Sequence, residues 1–228
     1  MDSIDKIDVT INGSTVSGRQ GMTILEVAQE NGIDIPTLCH KPELSLLGAC
    51  RICVVEVDGS RTLVGSCHTP IAPGMVIHTH SPRVLEARRV IVELLLASHC
   101  GSCYMCDKAN VCELRKIAAD LEVGLPRFTV RKRYYPLEDV SPYIVRDLTK
   151  CILCRRCVRG CKEIAKQNVF GIAYRGFDSK VVVDFDEPID KEVCRDCDVC
   201  TSLCPTGALS KRSEIREEKK GKPLFISG

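Results

Sequence analysis

Four cysteines, Cys151, Cys154, Cys157 and Cys161, stand in the spacing C-x2-C-x2-C-x3-C, and the same comb returns at Cys194, Cys197, Cys200 and Cys204. Thiolates are soft anionic ligands, and at such close spacing they hold zinc or iron–sulfur clusters. In this comb the first three cysteines enclose one corner of a [4Fe-4S] cubane, while the fourth is carried on to the other cluster of a two-cluster ferredoxin. Ligation is therefore expected to cross. One cubane takes Cys151, Cys154, Cys157 and Cys204, and the other takes Cys194, Cys197, Cys200 and Cys161. Pro205 after Cys204 fits the ferredoxin pattern, whereas Lys162 after Cys161 departs from it, in a helix expected to continue through "KEIAKQ".

More sulfur lies upstream. Cys39, Cys50, Cys53 and Cys67 are spaced C-x10-C-x2-C-x13-C. Structural zinc sites usually pair two tight knuckles. Here a single tight pair is joined by ligands from long loops, which suits a [2Fe-2S] rhomb, with a four-cysteine zinc site as the alternative. Gly48 lets the backbone pass close to such a cluster and aim amides at its sulfurs. Between these groups, "SHCGSCYMCDKANVC" brings His99, Cys103, Cys106 and Cys112, with Cys100 beside them. A histidine in the last turn of a helix can serve simply as a cap that suits the dipole.

Composition narrows the setting. The 228 residues carry sixteen cysteines, a formal net charge of +2, no tryptophan, and only five tyrosines and five phenylalanines. Nearly balanced charge gives no footprint for nucleic acid, and the short "RKRYY" run is expected to be a solvated or subunit-facing edge. The opening residues lack a secretory pattern, so a cytoplasmic location is expected. In that reducing compartment, cysteines are metal ligands rather than disulfides. "VIVELLLA", residues 90 to 97, is interrupted by Glu93 and is too short to span a bilayer, which needs about 20 apolar residues. It is expected to be a buried helix. No G-x-G-x-x-G follows a strand and no phosphate loop occurs, so nicotinamide and flavin are expected to bind elsewhere.

Three units are expected to position the sulfurs. The first, 1–80, opens with alternating residues around Asn12-Gly13, a hairpin signal. A helix follows with Thr23 and Glu26 as a capping box and Gly32 at its end, and then further strands at "RICVVEVDG" and "GMVIHTH". The second, 81–126, begins with Ser81 as cap and Pro82 at the first helical position. Its apolar face is formed by Val84, Leu85, Ala87, Val90, Ile91, Leu94 and Leu95, and the helix delivers the chain to His99. The third, 138–212, holds both combs, with a hairpin of "VFGIAYRG" and "SKVVVDFDE" between them. Residues 213–228 form a charged tail, either a docking segment or a frayed end.

These residues carry a resemblance. The C-x10-C-x2-C-x13-C set and the His99-x3-Cys103-x2-Cys106-x5-Cys112 set resemble the iron–sulfur region shared by the large subunit of respiratory complex I and the accessory part of [FeFe]-hydrogenases. The whole chain is most similar to the short diaphorase-type iron–sulfur subunits of NAD(P)-linked hydrogenases and formate dehydrogenases. The resemblance implies an α+β chain: a β-grasp [2Fe-2S] ferredoxin domain, a helical [4Fe-4S] domain with one histidine and three cysteine ligands, and a bacterial-type 2[4Fe-4S] ferredoxin domain. It implies one [2Fe-2S] cluster and three [4Fe-4S] clusters, which use fifteen of the sixteen cysteines and leave Cys100 over. It also implies partners: a flavin- and NAD(P)H-binding subunit, a thioredoxin-like [2Fe-2S] subunit, and a catalytic hydrogenase or formate dehydrogenase subunit, with no nucleic acid and no membrane span. The implied role is electron relay with no bond chemistry of its own, most of all within a hydrogenase. A formate dehydrogenase or complex I-like enzyme could use the same relay. A zinc-stabilised interaction module and a freely diffusing ferredoxin are the other readings.

His99 and Cys100 compete for one cluster, because Cys100 would give C-x2-C-x2-C-x5-C with the downstream cysteines. A neutral imidazole in place of a thiolate removes a negative charge and raises a cluster's potential, as in Rieske centres. Redox-titrated EPR is expected to show that His99→Cys lowers the potential of one cubane and that Cys100→Ser leaves every cluster signal in place. Loss of a cubane signal in Cys100→Ser, with His99→Ala unaffected, would transfer the ligand to Cys100.

Overall fold

A computed structural model describes residues 6–99, 101, 103–138, 141–187, 189 and 192–212. Cys100 and the tail 213–228 lie outside the described residues. Strands β1 (Lys6–Ile11) and β2 (Ser14–Arg19) pair antiparallel with Ile11 opposite Ser14. Asn12 at φ +52° and Gly13 at φ +84° make the tight turn, as an Asn-Gly pair does because both tolerate the left-handed region. Helix α1 (Ile24–Glu30) starts with the expected capping box: the Glu26 amide donates to Thr23 Oγ1 at 3.3 Å, and the Thr23 amide donates to Glu26 Oε2 at 2.7 Å. Its end is closed by Gly32 at φ +70° and by the Ile33 amide donating to Ala28 O at 2.8 Å.

Strands β3 (Val54–Val57), β4 (Val64–Gly65) and β5 (Val76–His78) complete a sheet in the order β2-β1-β5-β3-β4. Among the described residues of this sheet only the β1–β5 pairing is parallel. Val9, Ile11 and Ile77 from the sheet and Ile24, Leu25, Val27 and Ala28 from α1 are almost fully buried together. Cys53 and Cys67 belong to the same core, so the thiols are anchored by the packing that stabilises the sheet.

Helix α2 (Pro82–Ser98) is capped by Ser81, whose Oγ accepts from the Val84 amide at 3.3 Å. Its buried face is Val84, Arg88, Val92, Glu93 and Ala97, while Leu94 is 46% exposed. The face is therefore rotated from the apolar stripe read in the sequence. Arg88 lies on that face: its Nη2 donates to Val54 O at 2.8 Å, while its Nε has no partner among the described residues. Helix α3 (Glu113–Asp120) buries Leu114, Ile117 and Ala118 against Val92, Leu38 and Ile52. Ile152, from within the first comb, packs on the same cluster.

In the last part, β6 (Ile144–Arg146) pairs antiparallel with β9 (Leu209–Lys211), and β7 (Gly171–Ala173) with β8 (Lys180–Val182). Helix α4 (Arg156–Glu163) packs on α5 (Val199–Leu203) where Gly160 faces Leu203 and Val199. The expected continuation of α4 through "KEIAKQ" does not occur. Lys166 and Asn168 take φ of +58° and +52°, and the Gln167 amide donates back to Cys161 O at 2.9 Å, so the chain folds over Cys161 instead. The "RKRYY" run is mostly exposed, yet it also braces the hairpin. Arg131 and Arg133 stack on the Phe177 ring at 5.7 and 5.6 Å, and Lys180 lies over Tyr135 at 5.4 Å. Among the described residues no helix is long and apolar enough to cross a membrane.

Two arginines of α4 join the parts. Arg156 is 1% exposed; its Nη1 donates to Glu113 Oε1 at 2.7 Å and its Nη2 to His40 O at 3.0 Å. Arg159 donates to the carbonyls of Ser45 and Cys39. Glu163 accepts from the Ser45 amide and hydroxyl at 2.7 and 2.6 Å. Charge-assisted hydrogen bonds of this kind are worth about 1.5–3 kcal/mol each. Hydrogen exchange on Arg159→Ala is accordingly expected to speed at the amides of residues 39–46 by at least about tenfold, the equivalent of about 1.4 kcal/mol, with β1 and β2 unchanged.

Candidate functional site

The crossing of the two combs is visible in two cavities. One is lined by Cys151, Cys154, Cys157 and Cys204 together with Leu148, Ile152, Val181 and Leu209. The other is lined by Cys161, Cys194, Cys197 and Cys200 together with Ile144, Val169 and Phe170. Both walls are apolar. Burial pushes Cys151 up to about 11 and Cys154 to about 12, and holds Cys157 well above the ordinary thiol value. Burial, and then the neighbouring Cys194, Cys197 and Cys161, take Cys200 up to about 12. Separate thiols in a dry space resist ionisation, whereas bound iron displaces their protons.

The backbone supplies donors toward these sulfurs. The Leu153 amide donates to Cys151 Sγ at 3.4 Å, and the Val169 amide to Cys161 Sγ at 3.2 Å. Leu153 and Arg155 sit at φ +55° and +58°, a conformation that costs a residue with a side chain about 1–2 kcal/mol. The strain curls the comb around the cavity. Among the described residues no group of three or more His, Cys, Asp or Glu is poised to hold a metal ion as the atoms stand, so the sulfurs line spaces rather than meet at a point.

In the first part the sulfurs form two neighbouring pairs. A hydrogen bond from Cys50, set against burial and aided by the Cys50 and Ala49 amides, lowers Cys39 to about 5, and Cys50 itself is raised. A hydrogen bond with Cys67, followed by the Cys67 amide and the Ser66 hydroxyl, takes Cys53 down to about 6, while Cys67 is raised. The Ser66 hydroxyl is fully buried and has no other partner among the described residues. A hydroxyl donor beside buried sulfur fits a site that holds anionic thiolates. Gly48, at φ +66°, borders this site, and a Cβ there would meet the His68 ring at 3.3 Å.

Around α2 and α3, Cys112 caps α3 by accepting from the Arg115 amide at 3.5 Å, and burial, then nearby Cys106 and Cys103, raise its pKa. His99 closes α2, is 8% exposed, and accepts from the Gly101 amide at Nδ1 at 3.4 Å. Burial, and then the charge of Lys150, lower its pKa, which favours the neutral ring that can ligate iron. Cys106 lies against the backbone just past Cys204: a Cβ built at Gly207 would stand 2.5 Å from Cys106 Sγ. The Glu113 amide donates to Pro205 O at 2.9 Å across the same junction.

Sequence patterns alone do not single out Arg156, Arg159, Ser66, His68 or Gly207. The spacing of Arg156 and Arg159, one helical turn apart inside a comb, is the available signal for a shared face. Nothing local marks Gly207 as a neighbour of Cys106, because the contact joins distant segments. Gly207→Ala is expected to displace Cys106 and to diminish the EPR signal of one cubane selectively, leaving a binuclear signal intact.

Three domain families match the chain. Residues 5–82 match a 2Fe-2S iron-sulfur cluster binding domain. Residues 88–127 match the NADH-ubiquinone oxidoreductase-G iron-sulfur binding region, and residues 141–210 the NADH-quinone oxidoreductase subunit 3 ferredoxin-like domain. The NADP-reducing hydrogenase subunit HndD of Solidesulfovibrio fructosivorans is 40% identical over 216 residues, covering 92% of this chain and 37% of that protein. The mitochondrial NADH-ubiquinone oxidoreductase 78 kDa subunit of Candida albicans is 33% identical over 209 residues, covering 91% of this chain and 29% of that one. The chain thus spans well under half the length of these curated relatives. A crystal structure of NAD+-reducing [NiFe]-hydrogenase in the H2-reduced state contains a chain that superposes with a TM-score of 0.78 at 27% identity, covering 91% of this chain and 88% of that one. Three successive stretches of the chain thus match [2Fe-2S] and ferredoxin-like iron–sulfur domains, two of them of NADH-quinone and NADH-ubiquinone oxidoreductase type, and in sequence and fold the chain is similar to subunits of NADP-reducing and NAD+-reducing hydrogenases.

Proposed function

We propose that the chain relays electrons, through one [2Fe-2S] and three [4Fe-4S] clusters, between a flavoprotein subunit that handles NAD(P)H and a catalytic subunit, most of all a hydrogenase. The observation that carries the reading is the pair of apolar cavities, each lined by three cysteines of one comb and one of the other. When bound, iron–sulfur clusters accept and release single electrons at potentials from roughly −700 to +450 mV. The chain's own part is to hold sulfurs, exclude water and set charge.

In this reading Cys39, Cys50, Cys53 and Cys67 hold the binuclear cluster, and His99, Cys103, Cys106 and Cys112 hold one cubane. Cys151, Cys154, Cys157 and Cys204 hold the second, and Cys194, Cys197, Cys200 and Cys161 the third. The units 1–80, 81–126 and 138–212 each carry their own clusters. Contacts support an order with the Cys151 cubane at the centre. Arg159, between Cys157 and Cys161 on α4, reaches the Cys39 carbonyl. Gly207, three residues after Cys204, touches Cys106. Cys200 is close enough to add its charge to Cys157.

The apolar cysteine-lined walls favour clusters over a zinc-stabilised module, and three neighbouring kinds of site favour a fixed relay over a diffusing ferredoxin. The names of the relatives, a component of an NADP-reducing hydrogenase and one of a mitochondrial NADH-ubiquinone oxidoreductase, support NAD(P)-linked assemblies, and a thioredoxin-like [2Fe-2S] subunit is a further proposed partner. A formate dehydrogenase could use the same relay. A reducing, cytoplasmic setting suits the free thiols.

The isolated chain is expected neither to bind nor to oxidise NADH, and to become reduced only when a flavin-bearing partner is added. Stopped-flow absorbance of the oxidised clusters checks this, and tight nicotinamide binding by the chain alone would contradict the division of labour.

A further inference from the structure

His68 follows the proposed ligand Cys67, and its ring lies at the two-iron site in a slot with glycine walls. Nδ1 is 3.5 Å from Cys67 Sγ. A Cβ at Gly48 would stand 3.3 Å from Nδ1, and one at Gly65 would stand 2.9 Å from it and closer still to Cε1. Segments far apart in sequence thus each omit a side chain where the ring sits. Gly48 also needs glycine for its positive φ, but Gly65 lies in β4 without one. Its missing Cβ answers to the ring. His68 is exposed, whereas the Cys67 beside it is buried.

We infer that His68 sets the potential of the two-iron centre by donating an Nδ1–H hydrogen bond to the Cys67 sulfur, with Gly48 and Gly65 holding the ring in place. The inference rests on the assignment of Cys39, Cys50, Cys53 and Cys67 to a [2Fe-2S] cluster. An iron-bound cysteine carries no proton, so its sulfur can only accept. Nδ1 must then hold the hydrogen. Reduction adds one negative charge to the centre, and a donor at a ligand sulfur stabilises that state more than the oxidised one. The electron comes from the flavoprotein partner and passes on to the next cluster. No bond at His68 forms or breaks and no proton moves.

Redox-titrated EPR of the anaerobically purified full chain reads both the presence and the midpoint of the two-iron cluster. His68→Leu keeps bulk and removes the donor; its midpoint is expected to fall by about 59 mV, a tenfold shift of a one-electron equilibrium, with the cubane signals unmoved. His68→Asn, whose Nδ2 stands near the Nδ1 position, is expected to restore most of that shift. Gly65→Ala keeps the imidazole but pushes it off the sulfur, and is expected to lower the midpoint in the same direction even where His68→Leu fails to retain its cluster. An unchanged midpoint in His68→Leu or in Gly65→Ala overturns the role of His68 and leaves the cluster assignment standing. Loss of the two-iron signal in both variants makes the ring a structural prop and overturns it too. Absence of a two-iron signal from the unaltered chain overturns the assignment and the inference together.

Discussion

Arg156 and Arg159, one turn apart on α4, form the joint on which the arrangement of sites depends. Both guanidinium groups are at least nine-tenths buried, where an unpaired charge costs several kcal/mol. Their terminal nitrogens donate to carbonyls of the loop that carries Cys39 and, for Arg156, to Glu113 at the start of α3, while the Nε of each has no partner among the described residues. The same short helix supplies Cys157 and Cys161, one to each cysteine-lined cavity. Helix, loop and α3 therefore cannot shift independently, and the three kinds of sulfur site keep their spacing as one unit.

The joint is also electrostatic. In the proposed assignment three or four thiolates around each cluster would place negative charge in apolar surroundings, and the chain answers with oriented amides rather than with many cations. Amides reach sulfur from Cys50, Leu153, Val169 and Arg115, while the charge of Arg159 helps to lower Cys39. Fixed amides cost no reorganisation when an electron arrives, which suits a relay. The left-handed conformations at Leu153 and Arg155 are the local strain that this aiming requires.

Much of this was legible from residue types at short range. Asn12-Gly13, the Thr23–Glu26 box, Gly32 and Ser81-Pro82 each act within a few residues, and the turn, cap or helix start stands where each predicts. The grouping of Cys204 with the first comb and Cys161 with the second follows from a spacing rule, and the structure gathers the same sulfurs around the same spaces. What escaped was non-local or disguised. Arg88 is no part of the apolar stripe read in the sequence, because a charge is ordinarily exposed, yet it donates to a carbonyl of β3 and lies in the buried face of α2. The continuation of α4 failed because the chain bends back over Cys161 to donate the Val169 amide to its sulfur, a tertiary demand that outweighs helix propensity in "KEIAKQ". Gly65 and Gly207 carried no sign of the ring and the sulfur they make room for.

The central claim is that these spaces hold iron–sulfur clusters and not single structural ions. Anomalous diffraction from anaerobically grown crystals, recorded on both sides of the iron edge, addresses it directly. Iron is expected in the cavity of Cys151, Cys154, Cys157 and Cys204, in that of Cys161, Cys194, Cys197 and Cys200, beside Cys103, Cys106 and Cys112, and between Cys39, Cys50, Cys53 and Cys67. A single scatterer at each cysteine group, rising at the zinc edge and silent at the iron edge, would contradict the account.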